Sequence, residues 1–122
     1  MGSPGMTQRD LHSEFLGADL HLAMGQPIEA ARLLEPIVEA EPANEAALEL
    51  LARAYFHSAQ LRRAEEAARQ VIDEDPQDAY AHLLLGRTLQ RTGRAEEARR
   101  SLRLAELLGD YPVTRDAADS EG

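Results

Sequence analysis

The side chains that could carry out chemistry are few in this chain of 122 residues, and their spacing does not favour catalysis. The chain has no cysteine, which excludes disulfides, thiolate metal sites, iron–sulfur clusters and cysteine nucleophiles. Its histidines are His12, His21, His57 and His82. None of them forms a convincing metal-binding pattern with another His, Asp or Glu on the same helix face. His82 falls on an apolar stripe, so we expect a core histidine there.

Two acidic pairs, Glu65-Glu66 and Glu96-Glu97, are the remaining candidates for chemistry. An arginine follows each pair at a spacing of four residues (Glu65–Arg69 and Glu96–Arg100), which is typical of solvated ion pairs on a helix surface. Catalytic carboxylates need a cleft, and these pairs belong to a predicted outer face. No serine lies in a Gly-x-Ser-x-Gly elbow and no glycine loop suits a phosphate. We therefore expect no enzyme, no catalytic residue, no metal and no cofactor.

Composition favours a small acidic helical protein. Formal net charge is −9, which disfavours binding to nucleic acid phosphates and to anionic membrane surfaces. Alanine, leucine, glutamate and arginine favour helices, while aromatic residues make up only 4% of the chain. The N-terminus lacks the apolar core of a signal peptide, and the absence of cysteine fits a reducing compartment, so we expect a cytoplasmic location.

A period of 34 residues organises the chain, since Pro42 and Pro76 are separated by that length and their surroundings recur in the same order. The same ladder aligns Ala30, Ala64 and Ala98, and it also aligns Gly25, Ala59 and Gly93. Three segments then align without gaps: residues 11–44, 45–78 and 79–112. Each segment reads as a helix A, a turn and a helix B. We expect a left-handed turn at Ala59, where glycine is the easier residue.

The first repeat admits two registers. Strict alignment places Glu14, Gly17, Ala18 and His21 at the core positions of helix A, which is poor packing chemistry. A shift of one residue places Leu16, Gly17 and Leu20 there instead, at the cost of a longer turn before Gly25. The sequence leaves both registers open.

The second and third repeats resemble the tetratricopeptide repeat (TPR) family in its bacterial style, through two sets of residues: Leu51-Ala52, Tyr55, Ala64 and Pro76, then Leu85-Gly86, Leu89, Gly93 and Ala98. The resemblance implies an all-α fold, an α-solenoid of three TPR helix-turn-helix repeats with six antiparallel helices in a right-handed superhelix. It assigns residues 6–112 to the TPR domain. The residues Met1-Gly2-Ser3-Pro4-Gly5 read as a leader left by expression, and the polar composition of residues 113–122 predicts an acidic flexible tail.

The resemblance also implies that helix A of each repeat lines a concave face that binds a peptide or a protein partner. By alignment this face receives Glu49, Arg53, Phe56, His57, Tyr80, Leu83, Arg87, Gln90 and Arg91, with Phe15 and Asp19 from the first repeat in its strict register. TPR domains that bind chaperone tails carry a clamp of basic and amide residues. The corresponding residues here are Phe15, Asp19, Leu50, Tyr80 and Leu84, and none of them matches.

Two functions follow from this sequence. The first is a non-catalytic adaptor that holds a peptide or partner protein in the concave groove. The alternative is a self-associating structural protein, because a terminal solenoid repeat exposes apolar residues unless it is capped. The residues expected to form that homodimer contact are Leu104, Leu107, Leu108 and Tyr111.

Overall fold

Six α-helices follow one another in the computed structural model, which describes residues 8–109 and contains no strand within them. Their bounds are α1 Gln8–Ala23, α2 Pro27–Ala40, α3 Glu45–His57, α4 Leu61–Glu74, α5 Ala79–Arg91 and α6 Ala95–Leu108. Helices α1, α3 and α5 are the A helices of three TPR repeats, and α2, α4 and α6 are the B helices, so the predicted all-α solenoid of three repeats is confirmed. The leader 1–5, the tail 113–122 and Tyr111 lie outside the described residues.

The turn inside each repeat has the same left-handed residue. Gly25, Ala59 and Gly93 have φ of 73°, 63° and 80°, and in each turn the following backbone N–H bonds a carbonyl five residues back, as from Gln60 to Tyr55 at 2.8 Å. The expectation of a left-handed Ala59 is confirmed. Alanine pays a backbone penalty in this conformation that glycine does not.

The junctions between repeats are capped by side chains. Asn44 and Asp78 are the N-caps of α3 and α5, and their side chains accept hydrogen bonds from the backbone N–H of Ala47 at 3.0 Å and Ala81 at 3.1 Å. These bonds satisfy N–H groups that a helix start leaves without a partner. Helix α4 ends just before Asp75-Pro76, as expected of the residue that precedes a proline.

Small residues let the two helices of a repeat approach closely. Ala30, Ala64 and Ala98, the alanine ladder of the sequence, are at most 1% exposed. In the third repeat Gly86 takes the same role on α5, because a Cβ built there would lie 2.5 Å from Leu102 Cδ2 and 3.2 Å from the Leu102 backbone nitrogen. Most buried apolar side chains of the three repeats form one continuous core, and Leu102 and Ala105 of α6 form a second, smaller cluster. His82 is buried as expected, at 6% exposure, and its Nε2 lies 2.8 Å from the carbonyl oxygen of Pro76.

The first repeat follows the strict register. Ala18 is fully buried, whereas Leu16 and Leu20 are 54% and 59% exposed. The shifted register, which placed these leucines in the core, is therefore wrong. His21 is half-buried and its Nδ1 lies 2.6 Å from the side-chain oxygen of Gln26, so this polar residue of the strict register finds a partner at the turn.

Four charged side chains form a closed ring between α4 and α6. Arg69 lies 2.9 Å from Glu65 and 3.3 Å from Glu97, and Arg94 lies 2.8 Å from Glu65 and 2.9 Å from Glu97. Ion pairs in a network of this kind contribute more to stability than isolated surface ion pairs do. The Glu65–Arg69 pair was predicted, and its links to the next repeat were not.

The predicted Glu96–Arg100 pair does not form. Glu96 lies 3.7 Å from Arg99 instead, one residue earlier on the same helix. The side chains of Glu96 and Arg99 are at least 70% exposed. Because water solvates both charges, pairing Glu96 with Arg99 and not with Arg100 changes the stability of the protein little.

The left-handed turn at Ala59 predicts that Ala59→Gly stabilises the protein by about 1 kcal/mol, because glycine adopts this conformation without strain. We expect a rise in the melting temperature of about 4–8 °C, measured by circular dichroism. Exchanging glycine for alanine at Gly93 is the reverse control and should lower the melting temperature, since its φ is also positive. An unchanged or lower melting temperature for Ala59→Gly would contradict the assignment of strain to this turn.

Candidate functional site

A groove of about 430 Å³ opens where the A helices of the three repeats face one another. Its apolar lining comes from Phe15 on α1, Leu50 on α3 and Tyr80 on α5, three of the five positions that correspond to the chaperone clamp. The other lining residues are Asp19, Ala46, Glu49 and Arg53. Within the predicted concave set, the structure thus brings together Phe15, Asp19, Glu49, Arg53 and Tyr80.

Beyond the groove, towards the ends of α3 and α5, lies a second group of predicted residues. The rings of Phe56 and His57 meet edge to face with centroids 5.3 Å apart, and the Arg91 guanidinium lies 5.1 Å from the centre of the Phe56 ring. Burial, aided by the charges of Arg53 and Arg91, lowers the pKa of His57 below its ordinary value. This group is therefore aromatic and cationic, with a neutral histidine at pH 7.

The remaining predicted residues are spread along α5. Leu83 is half-buried and packs against Leu102 and Ala105 of α6, so it supports the fold beside the groove. Arg87 is half-buried and Gln90 is exposed, about two and three turns beyond Tyr80, the residue of α5 that lines the groove. Neither is among the residues that line the cavity.

Acidic side chains gather at the other end of α3, next to the N-terminus of α5. Burial, together with a hydrogen bond to Asp78 and the negative charges nearby, raises the pKa of Glu49 to about 8. The hydrogen bond to Asp78, ahead of burial and the charge of Asp75, raises the pKa of Glu45 to about 7. Burial acts to raise the pKa of Asp78, but hydrogen bonds from Glu49 and the Ala81 N–H outweigh it and the pKa falls. Glu49 and Asp78 therefore share a proton near neutral pH.

Three of these carboxylates are close enough to hold a cation. Oxygens of Glu45, Asp75 and Asp78 lie within 4.8 Å of one another, and each side chain is half-exposed. Solvated acidic groups often have this spacing without a metal, and Asp78 already serves as the N-cap of α5, so the geometry alone assigns no ion.

Sequence reasoning missed two kinds of site residue. The first kind is Ala46 and Leu50, which line the groove. The 34-residue period could have identified them, because Ala46 aligns with Tyr80 and Leu50 with Leu84. The acidic group was missed because Asp75 and Asp78 reach Glu45 and Glu49 only through the packing of neighbouring repeats. A like-charged pair four residues apart, Glu45 and Glu49, was the one local hint.

The predicted self-association residues lie on α6, away from the groove. Leu104, Leu107 and Leu108 are 42%, 73% and 39% exposed, and Leu104 borders a cavity of about 490 Å³ lined also by Arg99, Arg100 and Arg103. The face is thus apolar with a basic margin. Among the described helices, none combines the length and apolar character needed to cross a bilayer.

Comparison with known proteins identifies the family. Residues 24–105 match the family model described as "Anaphase-promoting complex, cyclosome, subunit 3". This match extends over more than half of the chain, so the chain belongs to that family of tetratricopeptide repeat proteins. TPR folds are typically non-catalytic scaffolds for protein interaction. No curated protein matches the chain by sequence.

Solved structures share the fold. MamA from Desulfovibrio magneticus RS-1, residues 41 to the end, is 28% identical with a TM-score of 0.75, and the match covers 80% of this chain and 55% of MamA. This chain therefore spans about half the length of that relative. The first TPR of Spaghetti (RPAP3), bound to HSP90 peptide SRMEEVD, is 16% identical with a TM-score of 0.83 over 96% of this chain and 94% of its own. A chain of the CopN-Scc3 complex is 16% identical with a TM-score of 0.77, covering 94% and 68%.

The raised pKa of Glu49 predicts a pH-dependent stability that a single substitution reduces. Between the ordinary carboxyl range and about pH 8, the unfolded chain releases a proton that the folded chain keeps, so stability falls as pH rises. Glu49→Gln removes this group and should make the free energy of unfolding fall less between pH 5 and pH 8 in urea titrations. Glu96→Gln, at an exposed position of α6, is the matched control and should leave the slope unchanged. Identical slopes for Glu49→Gln and the parent protein would contradict the assignment.

Proposed function

We propose that this protein is a non-catalytic adaptor that binds an extended peptide or a segment of a partner protein in the groove between α1, α3 and α5. The observation that carries the proposal is that apolar side chains from all three repeats, Phe15, Leu50 and Tyr80, line one cavity. Such a surface needs a ligand with apolar side chains, and aromatic and arginine side chains are common anchors of interfaces.

The structural relatives support this proposal by analogy. A TPR of Spaghetti (RPAP3) binds an HSP90 peptide, and another relative is a chain of the CopN-Scc3 complex. In this chain the groove lies between the A helices of the three repeats, α1, α3 and α5. The net charge of −9 argues for a protein partner over nucleic acid or an anionic membrane. A cytoplasmic location belongs to the same proposal.

A second function rests on the exposed leucines of α6. Leu107 is 73% exposed beside Leu104 and Leu108, and exposed apolar groups of this kind favour association. The alternative proposal is a homodimer that buries this face.

Filling the groove should block the first function. Ala46 is exposed at the groove wall, so Ala46→Trp occupies the cavity without disturbing the core. We expect this variant to lose the proteins that the parent protein captures from an extract of its native host, as read by mass spectrometry. Ala95→Trp, at an exposed position of α6, is the control and should capture them as before. Equal capture by both variants, with unchanged circular dichroism, would exclude the groove as the binding surface.

The dimer proposal predicts a concentration-dependent mass. Light scattering over a dilution series should show the parent protein passing from dimer to monomer, and Leu107→Glu should be monomeric throughout, because a charge in the buried face is unfavourable. Leu20→Glu, an equally polar change at an exposed leucine of α1, should behave as the parent protein does. A monomer mass at every concentration of the parent protein would rule the dimer out.

A further inference from the structure

The wall of the groove combines apolar and negative side chains. Asp19 on α1 and Glu49 on α3 line the same cavity as Phe15, Leu50 and Tyr80. Asp19 is exposed and Glu49 is half-buried, so both carboxyl groups belong to the surface that a ligand would meet. A ligand that fits this groove must therefore offer more than apolar side chains.

Glu49 has a hydrogen-bonding capacity that the described part of the protein leaves unused. Its Oε2 atom is buried and accepts no hydrogen bond from any described residue, while the carboxyl group bonds Asp78. A buried acceptor without a donor is unfavourable, and native structures rarely keep one without a reason. Since the half-buried Glu49 side chain also lines the cavity, a turn of its carboxyl group towards a donor carried by a ligand would satisfy this oxygen.

The charge at the Glu49 end of the groove is negative. Asp19 and Arg53 occupy equivalent positions of neighbouring repeats and both line the cavity, so its wall carries one negative and one positive group there. Glu49 lies one turn from Arg53 on α3, but the charged groups that act on it most strongly are acidic. Its pKa is raised by burial and by Asp78, Glu45 and Asp75, and the protein as a whole carries −9. The potential at this end therefore attracts cations and repels anions.

We propose that the groove recognises a peptide segment that places a lysine or arginine side chain beside Asp19 and Glu49 and apolar side chains against Phe15, Leu50 and Tyr80. This inference rests on the proposed function and specifies the chemistry of the partner. It also predicts a preference opposite to that of the related Spaghetti domain, which is bound to an acidic peptide, because an acidic side chain at this position would meet the Asp19 carboxylate and the negative charge of the Glu49–Asp78 pair.

The long basic side chains suit this cavity in two ways. Their aliphatic stems cover apolar surface while the charged head reaches a polar group, and the faces of Phe15 and Tyr80 also attract cations. The head group donates hydrogen bonds to Asp19 and to Glu49, and such charge-assisted bonds are stronger than neutral ones. Arg53, one turn further along α3, remains available to a carbonyl or carboxylate of the same peptide, which would fix its direction.

Three matched peptides test the inference by fluorescence anisotropy. The first is a short fluorescein-labelled peptide of alternating leucine and lysine, the second has glutamate in place of each lysine, and the third has acetyl-lysine, which keeps the length of the side chain and removes its charge. We expect the lysine peptide to bind at least about tenfold more tightly than the other two in buffered saline. Ala46→Trp should abolish this binding.

Variants of the protein separate recognition from general attraction. Asp19→Asn and Glu49→Gln should each reduce the preference for the lysine peptide several-fold, whereas Glu96→Gln, which also exchanges a carboxyl group for an amide but at an exposed site on α6, should not. Equal effects of all three variants would show a nonspecific attraction and overturn the inference. Tighter binding of the glutamate peptide, still lost in Ala46→Trp, would overturn the inference and leave the proposed function standing. If no peptide bound in a way that Ala46→Trp blocks, both would fail.

Discussion

The close approach of helix A to helix B within each repeat is the constraint on which the rest of this structure depends. Each repeat has a buried alanine on its helix B, at positions 30, 64 and 98. In the third repeat Gly86 of α5 lies so close to Leu102 of α6 that a Cβ at position 86 would collide with it. Because each pair packs closely, the repeats can stack on one another, and the three A helices together line one cavity. The groove is the surface that this row leaves uncovered.

The electrostatic character of the groove follows from the same stacking. Asp78 caps α5, and packing of the second repeat against the third brings that cap beside Glu49. A capping residue that stabilises one helix thereby raises the pKa of a carboxyl group on another and leaves a proton shared between them. At the opposite end of α3, Arg91 lies over Phe56, and burial, aided by the charges of Arg53 and Arg91, lowers the pKa of His57. The face formed by the A helices is therefore polarised along α3, from acidic at its start to basic at its end.

Much of this architecture is readable from the sequence because it depends on local chemistry repeated at a fixed interval. The left-handed turn at Ala59 follows from its alignment with Gly25 and Gly93, and the end of α4 follows from Pro76. The first repeat shows the limit of hydrophobicity as a guide. Its register is set by the fully buried Ala18, while the larger Leu16 and Leu20 point to solvent.

The features that could not be read from the sequence are those created between repeats. Glu65 and Arg94 are far apart in the chain yet lie 2.8 Å apart, and Glu49 meets Asp78 in the same way. The spacing of four residues predicted Arg100 as the ion-pair partner of Glu96. Both side chains move freely at this exposed site, and Glu96 lies beside Arg99 instead. Ala46 was overlooked because a small residue carries no chemical signal of its own, although it forms part of the groove wall.

The central claim, that the row of A helices is the binding surface, is tested most directly by nuclear magnetic resonance. Isotope-labelled protein would be titrated with the leucine–lysine peptide while the shifts of its backbone amides are followed. The account predicts that the largest changes fall on the groove residues Asp19, Ala46, Glu49, Leu50 and Tyr80. Changes confined to Leu104, Leu107 and Leu108 on α6 would contradict it and assign binding to the exposed end of the solenoid.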